Sequence, residues 1–154
     1  MFFLVLWAIG LISGIVQILI TKQPFNAYVV SSTLLLHQFV VTSGLVAVIG
    51  VYSNIIAADK TAEQLNWPGG PFQIKYGFTQ LGLLAFGIMA IFYKGEFWIG
   101  ALLINYLYGV MGGFTLIHEM VKAKKINKDS MARVIMDAAY QVFLTILSIK
   151  AEIW

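Results

Sequence analysis

Cysteine is absent from the 154-residue chain. No disulfide can form, and no thiolate metal site can be built. Charge is almost as scarce. Asp, Glu, Lys and Arg make up 11% of the residues, against about a quarter in an average soluble domain. That is too few to cover a water-soluble globule. Histidine occurs only as His37 and His118. There is no H-E-x-x-H motif, and the adjacent His118 and Glu119 point about 100° apart on a helix, which is poor zinc geometry. The net charge is +3, but no basic patch of the kind nucleic acid needs is present, so nucleic acid is excluded as a partner. Internal repeats, low-complexity segments and catalytic motifs are also missing.

What is present is apolar. Hydrophobic residues make up 60% of the chain and the mean hydropathy is +0.84. A bilayer crossing needs ~20 mostly apolar residues. The chain has room for four or five crossings and little else, so the expected fold is an all-α integral membrane bundle in one domain, residues 1–154. The expected spans cover 2–20, 28–58, 76–93, 97–121 and 134–149. The first has no basic flank before it and no A-x-A cleavage site after it, so it reads as a retained span and not a signal peptide. The fifth is short and contains Asp137; it either spans or lies on the surface as an amphipathic helix.

Lysine and arginine set the expected orientation. With five spans and the N-terminus inside, seven basic residues fall on inner segments: Lys60, Lys75, Lys122, Lys124, Lys125, Lys128 and Arg133. Three fall outside: Lys22, Lys94 and Lys150. The positive-inside rule favours this arrangement, which puts the C-terminus outside and Trp98 and Trp154 at the outer interface. The expected location is the cytoplasmic membrane of a prokaryote.

The longest connection, from Asp59 to Gln73, holds Trp67-Pro68-Gly69-Gly70-Pro71-Phe72-Gln73. The glycines are free to take positive φ and the prolines fix their own, so the stretch reads as a specified turn. Trp67 and Phe72 are expected to pack back against the bundle, since two exposed aromatics would otherwise form an apolar patch.

From about Gly50 to Glu119 the chain resembles an uncharacterised, domain-of-unknown-function family of small multi-span membrane proteins. The resemblance rests on Ala58-Asp59-Lys60 with Ala62-Glu63, on Trp67-Pro68-x-Gly70-Pro71-Phe72-Gln73, on Gly77-Phe78, on Phe97-Trp98, and on Gly112-Gly113 ahead of His118. It implies a multi-span fold and matches Asp137 to an aspartate opening the family's last span. The chain departs from the family pattern at three positions. It has Asn54 where the family has a histidine, Lys75 in place of an acidic residue, and Gln80 in place of an asparagine.

Polar groups within spans are costly and face the bundle interior. Three helical stripes satisfy that rule: Asn105, Tyr108, Gly112, Thr115 and Glu119; Asp137, Gln141, Thr145 and Ser148; and Ser43, Ala47, Gly50 and Asn54. Gly10/Gly14 and Gly109/Gly113 form G-x-x-x-G pairs of the kind that let helices approach closely. By depth, His118, Glu119, Asp137, Asn54, Asp59, Gln80 and Lys75 converge on the inner side as candidates for a ligand or ion site. Set against this is the ordinary tendency of helix ends to carry polar groups, with Arg133–Asp137 a simple i,i+4 pair. Asp137 is expected within reach of His118, Glu119 or Lys75.

His37 and His118 are the metal or haem candidates, but they fall toward opposite faces, so one haem between them is not expected. His37 reads more simply as a neutral histidine hydrogen-bonded between helices. No cofactor is called for. The function read from the sequence is a non-enzymatic accessory or oligomer-forming bundle binding lipid, itself or another membrane subunit; the alternatives are a small proton- or cation-linked transporter or channel, without the inverted repeat many transporters show, and a haem or quinone redox protein.

Overall fold

The computed structural model of the chain describes residues 2–65 and 69–154. Six helices, with no strand among the described residues, follow in order: α1 Phe2–Thr21, α2 Ala27–Ile56, α3 Ala58–Leu65, α4 Pro71–Phe92, α5 Glu96–Lys122 and α6 Lys128–Lys150. All but α3 are long and apolar enough to cross a membrane. The all-α fold class expected from composition is therefore the observed one.

The helix ends differ from the sequence reading where capping chemistry overrides hydropathy. The last helix starts at Lys128 and not at Val134, because the Asn127 side chain accepts hydrogen bonds from the backbone N–H groups of Asp129 and Ser130. Asp129 adds a favourable charge to the first turn. At 23 residues, α6 is about 35 Å long, enough for a bilayer core of ~30 Å. Similarly, α4 starts at Pro71 and not at Tyr76. Pro71 occupies the first turn, where its missing N–H costs nothing. Gly69 and Gly70 take φ of +67° and +84°, conformations that only glycine adopts without strain. The connection also holds structure that its length did not suggest. Ala58–Leu65 is the amphipathic helix α3, free of glycine and proline, with Asp59 in its first turn.

Helix α2 is central and touches α1, α4 and α6. It is not a regular α-helix. Two π-helical turns, Gln38–Thr42 and Tyr52–Ile56, interrupt it. Near the first, α4 comes so close that a Cβ at Gly87 would lie 2.6 Å from the Phe39 carbonyl oxygen, so only glycine fits.

The bundle has two leaves. One is α1, α2 and α4; the other is the α5–α6 pair. They meet tightly at the end that carries the α4–α5 turn. Leu35, Phe39, Ala90, Trp98, Leu102 and Leu144 form the core there. The Phe39 and Trp98 rings meet edge to face at 5.8 Å, and Trp98 Nε1 donates to the Ala90 carbonyl at 2.9 Å. Toward the other end a cavity opens between the leaves, with Phe3 and Trp7 of α1 still edge-on to Tyr140 of α6. The outside is covered by large apolar side chains, among them Ile20, Phe92, Val110, Phe114 and Ile149.

Candidate functional site

The cavity between the leaves measures about 1250 Å³ and lies at the end shared by the start of α4, the late turns of α5 and the start of α6. Its walls are mainly apolar, with Phe3, Val46, Leu107, Met111 and Met136 among them. The polar groups come from four helices: Asn54 from α2, Gln73, Tyr76 and Thr79 from α4, Tyr108 and Thr115 from α5, and Arg133 and Asp137 from α6. Tyr108 bridges the leaves by donating its hydroxyl to Thr79 Oγ1 at 3.1 Å.

Each polar group is placed by a local feature of the fold. Asn54 lies in the second π-helical turn, where the Ala57 N–H reaches back to the Tyr52 carbonyl at 2.8 Å. A Cβ at Gly77 would lie 3.1 Å from Asn54 Cβ, so glycine there lets α4 close on this turn. Gln73, from the proline-glycine motif, donates from Nε2 to the Ala58 carbonyl at 2.9 Å and ties the start of α3 to α4. Asn54 Nδ2 donates to the Gly50 carbonyl at 2.8 Å. Because both partners are carbonyl oxygens, both amides must present their NH2 groups to them. Their own oxygens, Asn54 Oδ1 and Gln73 Oε1, are buried and have no hydrogen-bond partner among the described residues. On the facing wall, Asp137 lines the cavity with one carboxylate oxygen 3.8 Å from the point where a Gly112 Cβ would sit.

The other sequence candidates divide. Gln80 is buried against Gly50, where a Cβ would meet its side chain at 2.7 Å, and it does not line the cavity. Asp59, Lys75, His118 and Glu119 are exposed and outside the lining. The His118 ring stacks on Phe114 of its own helix. Asp137 therefore shares the cavity with Arg133, one turn earlier on α6, and not with Lys75, His118 or Glu119. The expectation for Phe72 needs correction. It lines the cavity rim but is 86% exposed, because it stands one residue, about 100° of helix rotation, off the buried stripe of Gln73, Gly77 and Gln80. Trp67 and Pro68 lie outside the described residues.

His37 is held by α1, with Nδ1 against the Ser13 hydroxyl at 2.8 Å and Nε2 against Gln17 Oε1. Nε2–H donates to the amide oxygen, so both ring nitrogens are occupied and neither is free for a metal. Among the described residues, no three His, Asp or Glu side chains are grouped to hold a metal ion. Both G-x-x-x-G pairs serve the chain's own packing. Gly10 makes room for Thr42 and Gln38, Gly14 for Leu34 and His37, and Gly109 for Gln141.

Several cavity residues escaped the sequence reading. Tyr76 and Thr79 follow Gln73 at helical spacing, a signal that hydropathy hides by placing the start of α4 at Tyr76. Phe3 and Met136 carry no signal that separates them from lipid-facing residues.

Fold and site together define an all-helical bundle with five helices suited to crossing a membrane and an amphipathic cavity at one end. Residues 1–152 match the model of a family of unknown function, DUF6790, and the chain belongs to that family. No curated protein and no solved structure matches it.

Proposed function

We propose that the protein is a non-enzymatic integral membrane bundle that takes an amphipathic molecule, a membrane lipid, into the cavity between its leaves. The observation that carries this reading is the cavity itself: about 1250 Å³, apolar walls, and a few polar groups from four helices. Binding sites for small molecules share that pattern of apolar lining with sparse, placed polar groups. The walls continue through the exposed Phe72, Leu107 and Met111 onto the apolar exterior, which gives a lipid a path that avoids water. In this reading the cavity faces the cytoplasm, as the seven-to-three distribution of basic residues favours.

Gly112 supplies the test. It lines the cavity, and a Cβ there meets nothing nearer than Asp137 at 3.8 Å, so Gly112→Phe fills the space without striking backbone. Native mass spectrometry from detergent micelles should show bound lipid on the wild type and several-fold less on Gly112→Phe, with the melting midpoint unchanged. Equal lipid on both proteins overturns the reading.

A second reading, passage of a proton or cation, draws on buried polar groups between His37 and the cavity. Thr42 Oγ1 donates to Gln38 Oε1 at 2.8 Å, and Ser43 Oγ donates to Asn105 Oδ1 at 2.8 Å. Proton or cation flux into protein-loaded liposomes, lost in Gln38→Leu, would favour it over lipid binding.

A further inference from the structure

The turn between α5 and α6 holds the net charge of the molecule. Between Glu119 and Arg133 five basic residues meet two acidic ones, and the rest of the chain holds five of each sign, so the whole +3 lies here. Lys122, Lys124, Lys125 and Lys128 are all exposed, and the chain itself keeps them on one short turn. That turn has a defined backbone. The Lys125 N–H donates to the Met120 carbonyl at 3.2 Å and the Lys124 N–H to the Val121 carbonyl at 3.1 Å, the pairing that ends a helix in a Schellman motif. Asn127 then caps α6. Two of the lysines stand where helix chemistry disfavours them. Lys124 has a φ of +49°, at the left-handed position that glycine usually fills. Lys128 opens α6, where the macrodipole repels a cation. Helix stability explains neither choice; a negatively charged partner does.

Depth in the membrane points to the partner. From Phe97 to Ile117, α5 carries no charge. That run is about 31 Å long, which matches a hydrocarbon core of ~30 Å. Lys122 lies five residues beyond Ile117, about 8 Å further along the helix, and the headgroup layer is about 5–8 Å deep on each side. The lysines therefore meet the membrane at its phosphates. Among them stand Ile126, 74% exposed, and Val121, 70% exposed. Apolar side chains beside lysines suit a segment seated in the membrane interface. We infer that this turn binds anionic phospholipid headgroups, with Lys122, Lys124, Lys125 and Lys128 against the phosphates and Val121 and Ile126 immersed between them. None of these six residues lines the cavity, so the surface is independent of any lipid held there.

The test places a bimane fluorophore on Ala123→Cys, an exposed position within the turn of the otherwise cysteine-free chain. The intact protein is reconstituted in phosphatidylcholine vesicles. These contain a minor fraction of either phosphatidylglycerol or phosphatidylcholine spin-labelled high on one chain. Quenching by the anionic lipid should exceed that by the neutral one by at least about fivefold, the attraction of a single surface lysine. The excess should fall sharply at about 1 M salt, where the Debye length is about 3 Å. Lys124→Gly separates charge from fold. It should raise the melting midpoint in detergent, because glycine takes positive φ freely, while lowering the excess. Lys122→Gln, Lys125→Gln and Lys128→Gln combined should remove most of it, whereas Lys22→Gln with Lys150→Gln, at the other end, should leave it intact.

Equal quenching by the two lipids with all four lysines present overturns the proposal and leaves the turn to an acidic protein partner. An excess that survives the combined lysine substitutions overturns it as well, since the anionic lipid then sits elsewhere. The excess should persist when Gly112→Phe is added; its loss there would transfer the anionic lipid to the cavity and overturn the turn as its site.

Discussion

At the scale of single residues, glycine and the side-chain amides govern this molecule. Gly87 and Gly100 show how differently two glycines in similar helices behave. A Cβ at Gly87 would collide with the Phe39 carbonyl oxygen at 2.6 Å, whereas one at Gly100 meets nothing within 4 Å. Backbone cannot move aside as a flexible side chain can. Gly87→Ala should therefore lower stability by about 1–3 kcal/mol, the usual cost of overpacking. Gly100→Ala should be neutral or raise it by up to ~1 kcal/mol, since alanine is the better helix former. Thermal or denaturant unfolding in detergent measures both, and equal effects would remove the close approach of α4 to α2 as their cause. Asp137 illustrates the reach of sequence reasoning at this scale. A charge facing lipid near mid-membrane costs ~2–3 kcal/mol on insertion scales, so its inward direction is readable from the stripe it shares with Gln141, Thr145 and Ser148. Arg133, four residues earlier on the same helix, is readable as a neighbour, but neighbours on other elements are not: whether Lys75, His118 or Glu119 shares its cavity depends on helix rotation and placement, which hydropathy does not encode.

At the scale of elements, hydropathy located the long helices, and capping and backbone geometry set the details it missed. The starts of α4 and α6 lie outward of the apolar runs because Pro71 and Asn127 begin helices among polar residues. Helix α3 falls within the connection that hydropathy marks, because only its neighbours are apolar. The π-helical turns leave no trace in composition, yet the second one sets where Asn54 points and how the chain enters α3. A π-helical turn contains one residue more than the α-helix needs, and such turns recur at functional sites. Deleting Ser53 should restore α-helical hydrogen bonding at Tyr52–Ile56 and rotate Asn54 by about 100° relative to the upstream helix. The expected outcome is a helical, membrane-inserted protein with circular dichroism close to wild type and lipid adducts reduced several-fold in native mass spectrometry. Unchanged adducts would mean that the turn does not position the site.

At the scale of the whole molecule, the asymmetry between the two ends is the organising feature. One end is closed by Leu35, Phe39, Trp98, Leu102 and Leu144, and the other holds the cavity. The even alternation of long helices also separates the basic residues. The cavity end carries Lys60 on α3, Lys75 on α4, Lys122 and Arg133 at the ends of α5 and α6, and Lys124, Lys125 and Lys128 around the connection between them; the closed end carries Lys22, Lys94 and Lys150. Retention of lysine and arginine on the cytoplasmic side during insertion acts on short loops of this kind, so the cavity should open toward the cytoplasm. The native chain has no cysteine, which makes single-cysteine labelling clean. Asn127→Cys, in the cap of α6, and Asn66→Cys should resist a membrane-impermeant maleimide in intact cells and react once the membrane is permeabilised. Asn26→Cys, at the start of α2 on the closed end, should react in intact cells. Labelling of Asn127→Cys or Asn66→Cys in intact cells with protection of Asn26→Cys would invert the molecule. The cavity would then face outward, and a lipid entering it would come from the outer leaflet, so the same three variants decide both the orientation and the membrane leaflet the site samples.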